Sequence, residues 1–275
     1  MPEPIGFFEN EQTPKGQLKP RPKGRDFAKG SWYCSHMEKN DPHSPGFPPA
    51  VQVSVDAVVL SLIDGRLHAL LVQRSAAPFQ GRWALPGGFV HVEEDVDCLS
   101  SIRRVLKQKA ALEVRHLEQL GTYSGADRDP RGWSVSVAYV AVVGPDASPV
   151  GPDARFFPVD DLPDLPFDHA HIANQAISRV RNKSSYSTLP ALLLPKVFTL
   201  PQLQAVYEHV LGTPLNAAAF RRKVMAQGLI DPVNVSRKSK EAAAVGRPAQ
   251  HYRLSRKVLT DLGRVVMLPD PRRGG

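Results

Sequence analysis

The sequence predicts an α+β protein in two parts: a mixed sheet layered between helices as an α/β/α sandwich, then a small basic helical module closed by a hairpin. Three observations predict it. Apolar residues alternate with period two in short runs through the first part, and helical spacing separates those runs. In the last part the order changes to two short helical stretches and a final alternating run. The charge changes there too: residues 196–275 hold 14 Lys/Arg against 5 Asp/Glu, whereas the preceding 195 residues hold 21 against 22.

The elements follow in order. Residues 1–49 are rich in Pro, Lys and Gly without apolar periodicity and read as a disordered arm. Cys34, His36 and His43 lie there, at spacings that match no zinc pattern. Val53, Val55 and Ala57 to Leu60 begin the first strand, Asp64-Gly65 marks a hairpin turn, and Leu67 to Val72 form the return strand. A loop leads to Trp83-Ala84-Leu85-Pro86-Gly87-Gly88-Phe89. Residues 99–109 read as a helix, 117–124 and 134–143 as strands, 154–158 as a short strand and 168–182 as a helix with Asp168 as N-cap. His169 behind that cap reads as an ordinary histidine. Residues 183–195 are a connector with Ser, Tyr and Pro. Leu203, Val206, Tyr207 and Val210 share one helical face, and Gly212-Thr213-Pro214 breaks that helix. Asn216 caps a second helix over 217–227, with Phe220 and Val224 facing inward and Gly228 ending it. His251 to Leu254 alternate as a closing strand. The division is an arm over 1–49, a sheet domain over 50–183, and a linker with a winged helix-turn-helix over 184–275.

Composition narrows the function classes. With 42% hydrophobic residues the chain can bury a core. No apolar run approaches the ~20 residues of a membrane span, and the polar N-terminal stretch lacks a signal-peptide core. Two cysteines exclude a disulfide framework and fit the cytoplasm. A positive field confined to one segment points to a polyanion partner.

The run Phe79-x-Gly81-x-Trp83-x-Leu85-Pro86-Gly87-Gly88-Phe89 resembles the opening of the Nudix box, G-x5-E-x7-R-E-U-x-E-E-x-G-U with U aliphatic. The resemblance implies a Nudix fold and glycines that let backbone amides approach a diphosphate. The rest of the box departs from the pattern. Aligned on Leu112, the first glutamate is Val105, the metal-binding pair is Gln108 and Lys109, and the glycine is Ala111. The loop before Arg104 also carries two extra residues. An ammonium in that place repels Mg²⁺. Glu93, Glu94, Asp95 and Asp97 cluster in the loop and read as a solvated lead into a helix N-terminus, which the macrodipole favours. The expectation is a pocket that binds a nucleotide without a metal site or cofactor. Asp127-Arg128-Asp129-Pro130-Arg131-Gly132 resembles a loop of the ADP-ribose group of Nudix proteins. The candidate ligand residues are Arg74, Phe79, Arg82, Gly87, Gly88, Phe89, Arg128, Asp129 and Arg131.

The basic module carries the second reading. The N-terminal part of the second helix of a helix-turn-helix meets the major groove, and here it holds Arg221, Arg222 and Lys223 after Asn216. Arg237, Lys238 and Arg247, with Gln250, lie where a wing would contact phosphates or the minor groove. These eight are the candidate DNA-binding residues. A degenerate Nudix domain followed by this module resembles the Nudix-related transcriptional regulators, the NrtR-like family. The stretches Phe157 to Pro163, Phe167 to Ala170, Phe198 to Gln204 and Gly246 to Tyr252 carry that resemblance further. It implies a repressor of NAD-metabolism genes that binds double-stranded operator DNA and takes ADP-ribose as effector; half-site spacing makes a homodimer the expected state. A pyrophosphatase with a nucleic-acid-binding extension and an RNA-binding module are the alternatives.

Overall fold

The computed structural model describes residues 51–112, 114–150, 153–234 and 250–255. The expected arm, Cys34, His36, His43 and the wing candidates Arg237, Lys238 and Arg247 lie outside the described residues.

The chain opens with a hairpin of β1 (Gln52–Ile63) and β2 (Arg66–Gln73). Asp64 and Gly65 both take positive φ, as a tight two-residue hairpin turn requires. Next come β3 (Trp83–Ala84), β4 (Gly87–Phe89) and helix α1 (Cys98–Ala110). Then follow β5 (His116–Gly125), β6 (Ser134–Val142), β7 (Ala154–Pro158) and α2 (His169–Ser184). The seven strands form one sheet in the order β3-β2-β1-β6-β5, with β4 also paired to β1 and β7 to β2. Only β1 and β6 run parallel; the other pairs are antiparallel, so the sheet is mixed.

Alternation on β1 sorts the two layers. Val55, Ala57 and Val59 pack with Ile102, Val105 and Leu106 of α1. Val58 and Leu60 face the other way and pack with Ile172, Ala176 and Val180 of α2. The α/β/α sandwich follows from that period.

The second module begins with a 3₁₀ turn (Leu189–Leu193), β8 (Phe198–Thr199), α3 (Leu200–Leu211) and α4 (Ala217–Ala226). It ends with β9 (Ile230–Val233) and β10 (His251–Leu254), which join β8 in an antiparallel sheet ordered β8-β10-β9. Thr199 and Gln202 form a capping box on α3, and Gly212 closes that helix at φ +68°. Asn216 caps α4 by accepting from the Ala219 N–H at 2.9 Å. Gly228, at φ +61°, follows its end.

Two expectations need correction. The 183–195 connector carries part of the core: Tyr186 and Pro195 are exposed, but Leu189, Ala191, Leu192, Leu193 and Leu194 are all buried. They join the α2 face of the sheet to Phe198, Tyr207, Phe220 and Tyr252 in one apolar cluster. Asp168 makes no side-chain capping bond to α2, because its carboxylate is taken by Arg128.

Tyr207 pins this junction by donating its buried hydroxyl to the Ser187 carbonyl at 2.9 Å. Tyr207→Phe leaves that carbonyl unpaired and should cost about 1–3 kcal/mol. Urea unfolding measures it, and an unchanged midpoint would show that the bond contributes nothing.

Candidate functional site

A cavity of about 520 Å³ opens where β1, β4, α1 and the loops before β6 and α2 converge, a size typical of small-ligand pockets. At its base lies Asp56, a buried carboxyl group on β1. Gly87 pairs with Asp56 across the β1–β4 ladder. A Cβ at Gly87 would lie 1.9 Å from Asp56 Oδ1 and 2.9 Å from the Val55 carbonyl oxygen. Only glycine fits that approach. Ser136 of β6 donates its hydroxyl to Asp56 Oδ2.

His169 is buried against the same carboxylate. The Leu85 N–H donates to its Nδ1 at 3.1 Å, so its proton sits on Nε2, 3.6 Å from Asp56 Oδ1. Burial pushes the imidazole pKa down, against the pull of Asp56. His169 is therefore a cavity residue and not an ordinary histidine.

The charged walls come from the loops. Arg128 grips Asp168 in a bidentate pair at 2.9 and 3.0 Å and reaches Ser134 Oγ at 3.1 Å. Arg131 is held by Asp129 at 2.6 and 2.9 Å, with its guanidinium over Phe89. Arg74 donates to the Pro78 carbonyl at 2.7 Å and lies over Phe167. Desolvation, then Arg131, pushes the Arg74 pKa down. Thus Arg74, Gly87, Gly88, Phe89, Arg128, Asp129 and Arg131 all line the cavity. Phe79 faces an adjoining cavity that shares Arg128, Asp129 and Phe167. Arg82 points elsewhere, to the Asp164 carboxylate and carbonyl on the surface. Asp56, Lys109, Phe167 and His169 were missing from the expected ligand set. A buried acid within an apolar strand was the available signal for Asp56.

The helix that carries metal ligands in Nudix hydrolases presents other chemistry here. Val105 is buried in the core, with Cγ2 3.1 Å from where a Gly88 Cβ would be. Gln108 and Lys109 face the cavity. Ala111 takes φ +50° as the α1 C-cap, a conformation that favours glycine, which the Nudix pattern has there. The acidic loop is structural. Arg104 holds Asp95 at 2.7 and 2.8 Å, keeping that carboxyl well below the usual range. Asp97 caps α1 through the Ser100 N–H. Among the described residues no group of three His, Cys, Asp or Glu is placed to hold a metal ion. The residues present do not fit the divalent metal of that chemistry.

In the second module Phe220 and Val224 of α4 are buried and Arg221 and Arg222 are exposed on its outer side. Lys223 is half-buried, and desolvation pushes its pKa down. Asn216 is the helix cap described above. Gln250 is exposed and donates to the Val233 and His251 carbonyls, at the base of the β9–β10 wing.

Gly87→Ala forces a Cβ against backbone and a buried carboxyl group, and should destabilise the protein by about 1–3 kcal/mol. Thermal or urea unfolding checks this; wild-type stability would show that β4 yields without cost.

The model of the NUDIX domain matches residues 52–179, and the model of the NrtR DNA-binding winged helix domain matches residues 190–254. The ADPR responsive transcriptional repressor NtrR of Acinetobacter baylyi is 35% identical over 236 residues, which cover 84% of this chain and 90% of that protein. An ADP-ribose pyrophosphatase of Methanocaldococcus jannaschii is 37% identical over 123 residues, 44% of this chain and 69% of that protein. The crystal structure of Shewanella oneidensis NrtR complexed with a 27mer DNA superimposes with a TM-score of 0.67 at 38% identity, over 74% of this chain and 93% of that one. No described helix is long and apolar enough to cross a membrane. With both halves matched in this order, and a repressor relative aligned over nearly its whole length, the chain belongs to the NrtR family of Nudix-domain transcriptional regulators.

Proposed function

We propose that this protein is a transcriptional repressor that binds operator DNA through α4 and the β9–β10 wing and releases it when ADP-ribose, uncleaved, fills the Nudix cavity. One observation carries the reading. The cavity keeps the cations Arg74, Arg128 and Arg131 but replaces the catalytic acids of α1 with Gln108 and Lys109. Such a site can bind a diphosphate and lacks the metal ligands needed to activate water. Phe89 and Phe167 offer aromatic faces at the cavity for a nucleobase.

The ion pairs give the ligand something to exchange. Each diphosphate oxygen competes with a carboxylate already on a guanidinium: Asp168 on Arg128, Asp129 on Arg131. Asp168 immediately precedes α2, and α2 shares its apolar cluster with α3. Loosening that pair shifts the base on which the winged helix rests. Two winged helices on two half-sites fit a homodimer, and light scattering with and without DNA tests that state. The family resemblance suggests NAD-metabolism genes as targets.

The decisive experiment is fluorescence anisotropy on upstream DNA during ADP-ribose titration with Mg²⁺ present, following ADP-ribose itself. Release with the ligand intact is the expected result. Consumption of ADP-ribose without specific DNA binding would favour the pyrophosphatase reading, which the Methanocaldococcus relative keeps in view. Arg222→Ala should weaken operator binding by about 1–3 kcal/mol, roughly fivefold to a hundredfold, and leave ADP-ribose affinity unchanged. An equal loss of ADP-ribose binding would show that the two modules are wrongly assigned. The double change Gln108→Glu with Lys109→Glu should not restore turnover, because Val105 and the longer loop remain; efficient hydrolysis would refute that.

A further inference from the structure

Building on this reading of the cavity, we infer that Lys109 takes the electrostatic place of the divalent cation, so that the protein holds a diphosphate without metal. Lys109 stands where the Nudix pattern has a metal-binding glutamate, and it lines the cavity. Its Nζ donates to the Gly87 carbonyl at the cavity rim. That is its only hydrogen bond among the described residues. An ammonium has three donors and accepts nothing, so two remain for a ligand.

Besides the Gly87 carbonyl, Asp56 is the anion that acts on this cation. Asp56 is already served by the Ser136 hydroxyl, with His169 and Arg128 within 4.0 Å. Lys109 is exposed at the rim of the cavity that it lines. Desolvation pushes its pKa down, Asp56 pulls it up, and Arg74 pushes it down again. A compact ammonium suits a phosphate as a point charge, whereas Mg²⁺ needs an octahedron of oxygens. The cavity cannot build that octahedron: Asp129 is clamped by Arg131, and no described acid cluster could hold a metal. The lysine also excludes the metal by repulsion. Among the several departures from the Nudix pattern, this one puts a positive charge where the pattern has a metal-binding carboxylate.

Isothermal titration of the full-length protein with ADP-ribose, in EDTA and in excess Mg²⁺, tests this. The wild type should bind with affinities equal within about twofold in the two buffers. Lys109→Met keeps the stem and removes the charge; it should lose about tenfold or more in both buffers, the ~1.4 kcal/mol of a charge-assisted contact. Lys109→Arg should retain most of the affinity. Lys109→Met also removes the bond to the Gly87 carbonyl, so urea unfolding of both variants is read beside the titration, and the comparison is made where each is fully folded. Wild-type binding that needs Mg²⁺, or Lys109→Met that binds like the wild type, overturns the inference. Should Lys109→Met fail to fold, the wild-type comparison in EDTA and Mg²⁺ still decides. Absence of wild-type binding in both buffers would instead bring down the ADP-ribose reading itself.

Discussion

The site is organised around one buried carboxyl group. Burying Asp56 in the middle of an apolar strand is costly unless its oxygens find partners. The partners come from nearly every element around the cavity: the Ser136 hydroxyl from β6, His169 from α2, and Arg128 from the loop between β5 and β6. Gly87 of β4 contributes by having no side chain, which lets the second ladder on β1 close over the carboxylate. With β4 fixed there, its carbonyl meets Lys109 of α1. A single acid thus sets the distances between two helices, two strands and a loop. In water each of these contacts is weak; sheltered from solvent, they hold one another in register.

The same geometry explains how a small ligand can be felt at the DNA-binding module. Arg128 ties the loop before β6 to Asp168, and Asp168 leads directly into α2. Beyond α2 a short polar run, Ser185 to Thr188, leads to the second module, and its Ser187 and Thr188 are buried. The 3₁₀ turn at Leu189–Leu193 is buried, and the apolar cluster runs from Val58 through Val180 to Tyr207 and Phe220. Close-packed cores transmit displacement because they cannot compress. In the proposed function, that shared core couples the cavity to the winged helix by packing.

Most of the fold was legible because its signals are local and periodic. The Asp64-Gly65 turn, the alternation of β6, the Asn216 cap and the Gly212 break each follow from chemistry within a few residues. The site was half legible. Gly87, Gly88 and the arginines of the 128–131 loop stand in recognisable runs, but Asp56 and His169 matter only because residues 80 to 113 positions apart meet. Asp168 misled for a related reason: the cap position was right locally, and a long-range arginine outcompeted the helix for its oxygens. Leu189 to Leu194 were read past because a Pro within a short run signals a loop; here it stands at the start of a buried 3₁₀ turn. Phe79 and Arg82 belong to the right loop, but loop membership does not fix side-chain direction.

A sensor differs from an enzyme in what it must do with binding energy. An enzyme must bind the transition state better than the substrate; a sensor must bind one conformation better than another, because a ligand with equal affinity for both shifts nothing. Arginines already engaged by carboxylates suit the second task. The ligand gains only the difference between its own contacts and those it displaces, and each displaced carboxylate releases a specific structural tie. Catalytic glutamates on α1 would work against this, since cleavage would consume the signal that the tie reports. In the proposed function, Gln108 and Lys109 keep the cavity cationic, and the exchange of ion pairs is the event that the winged helix reads.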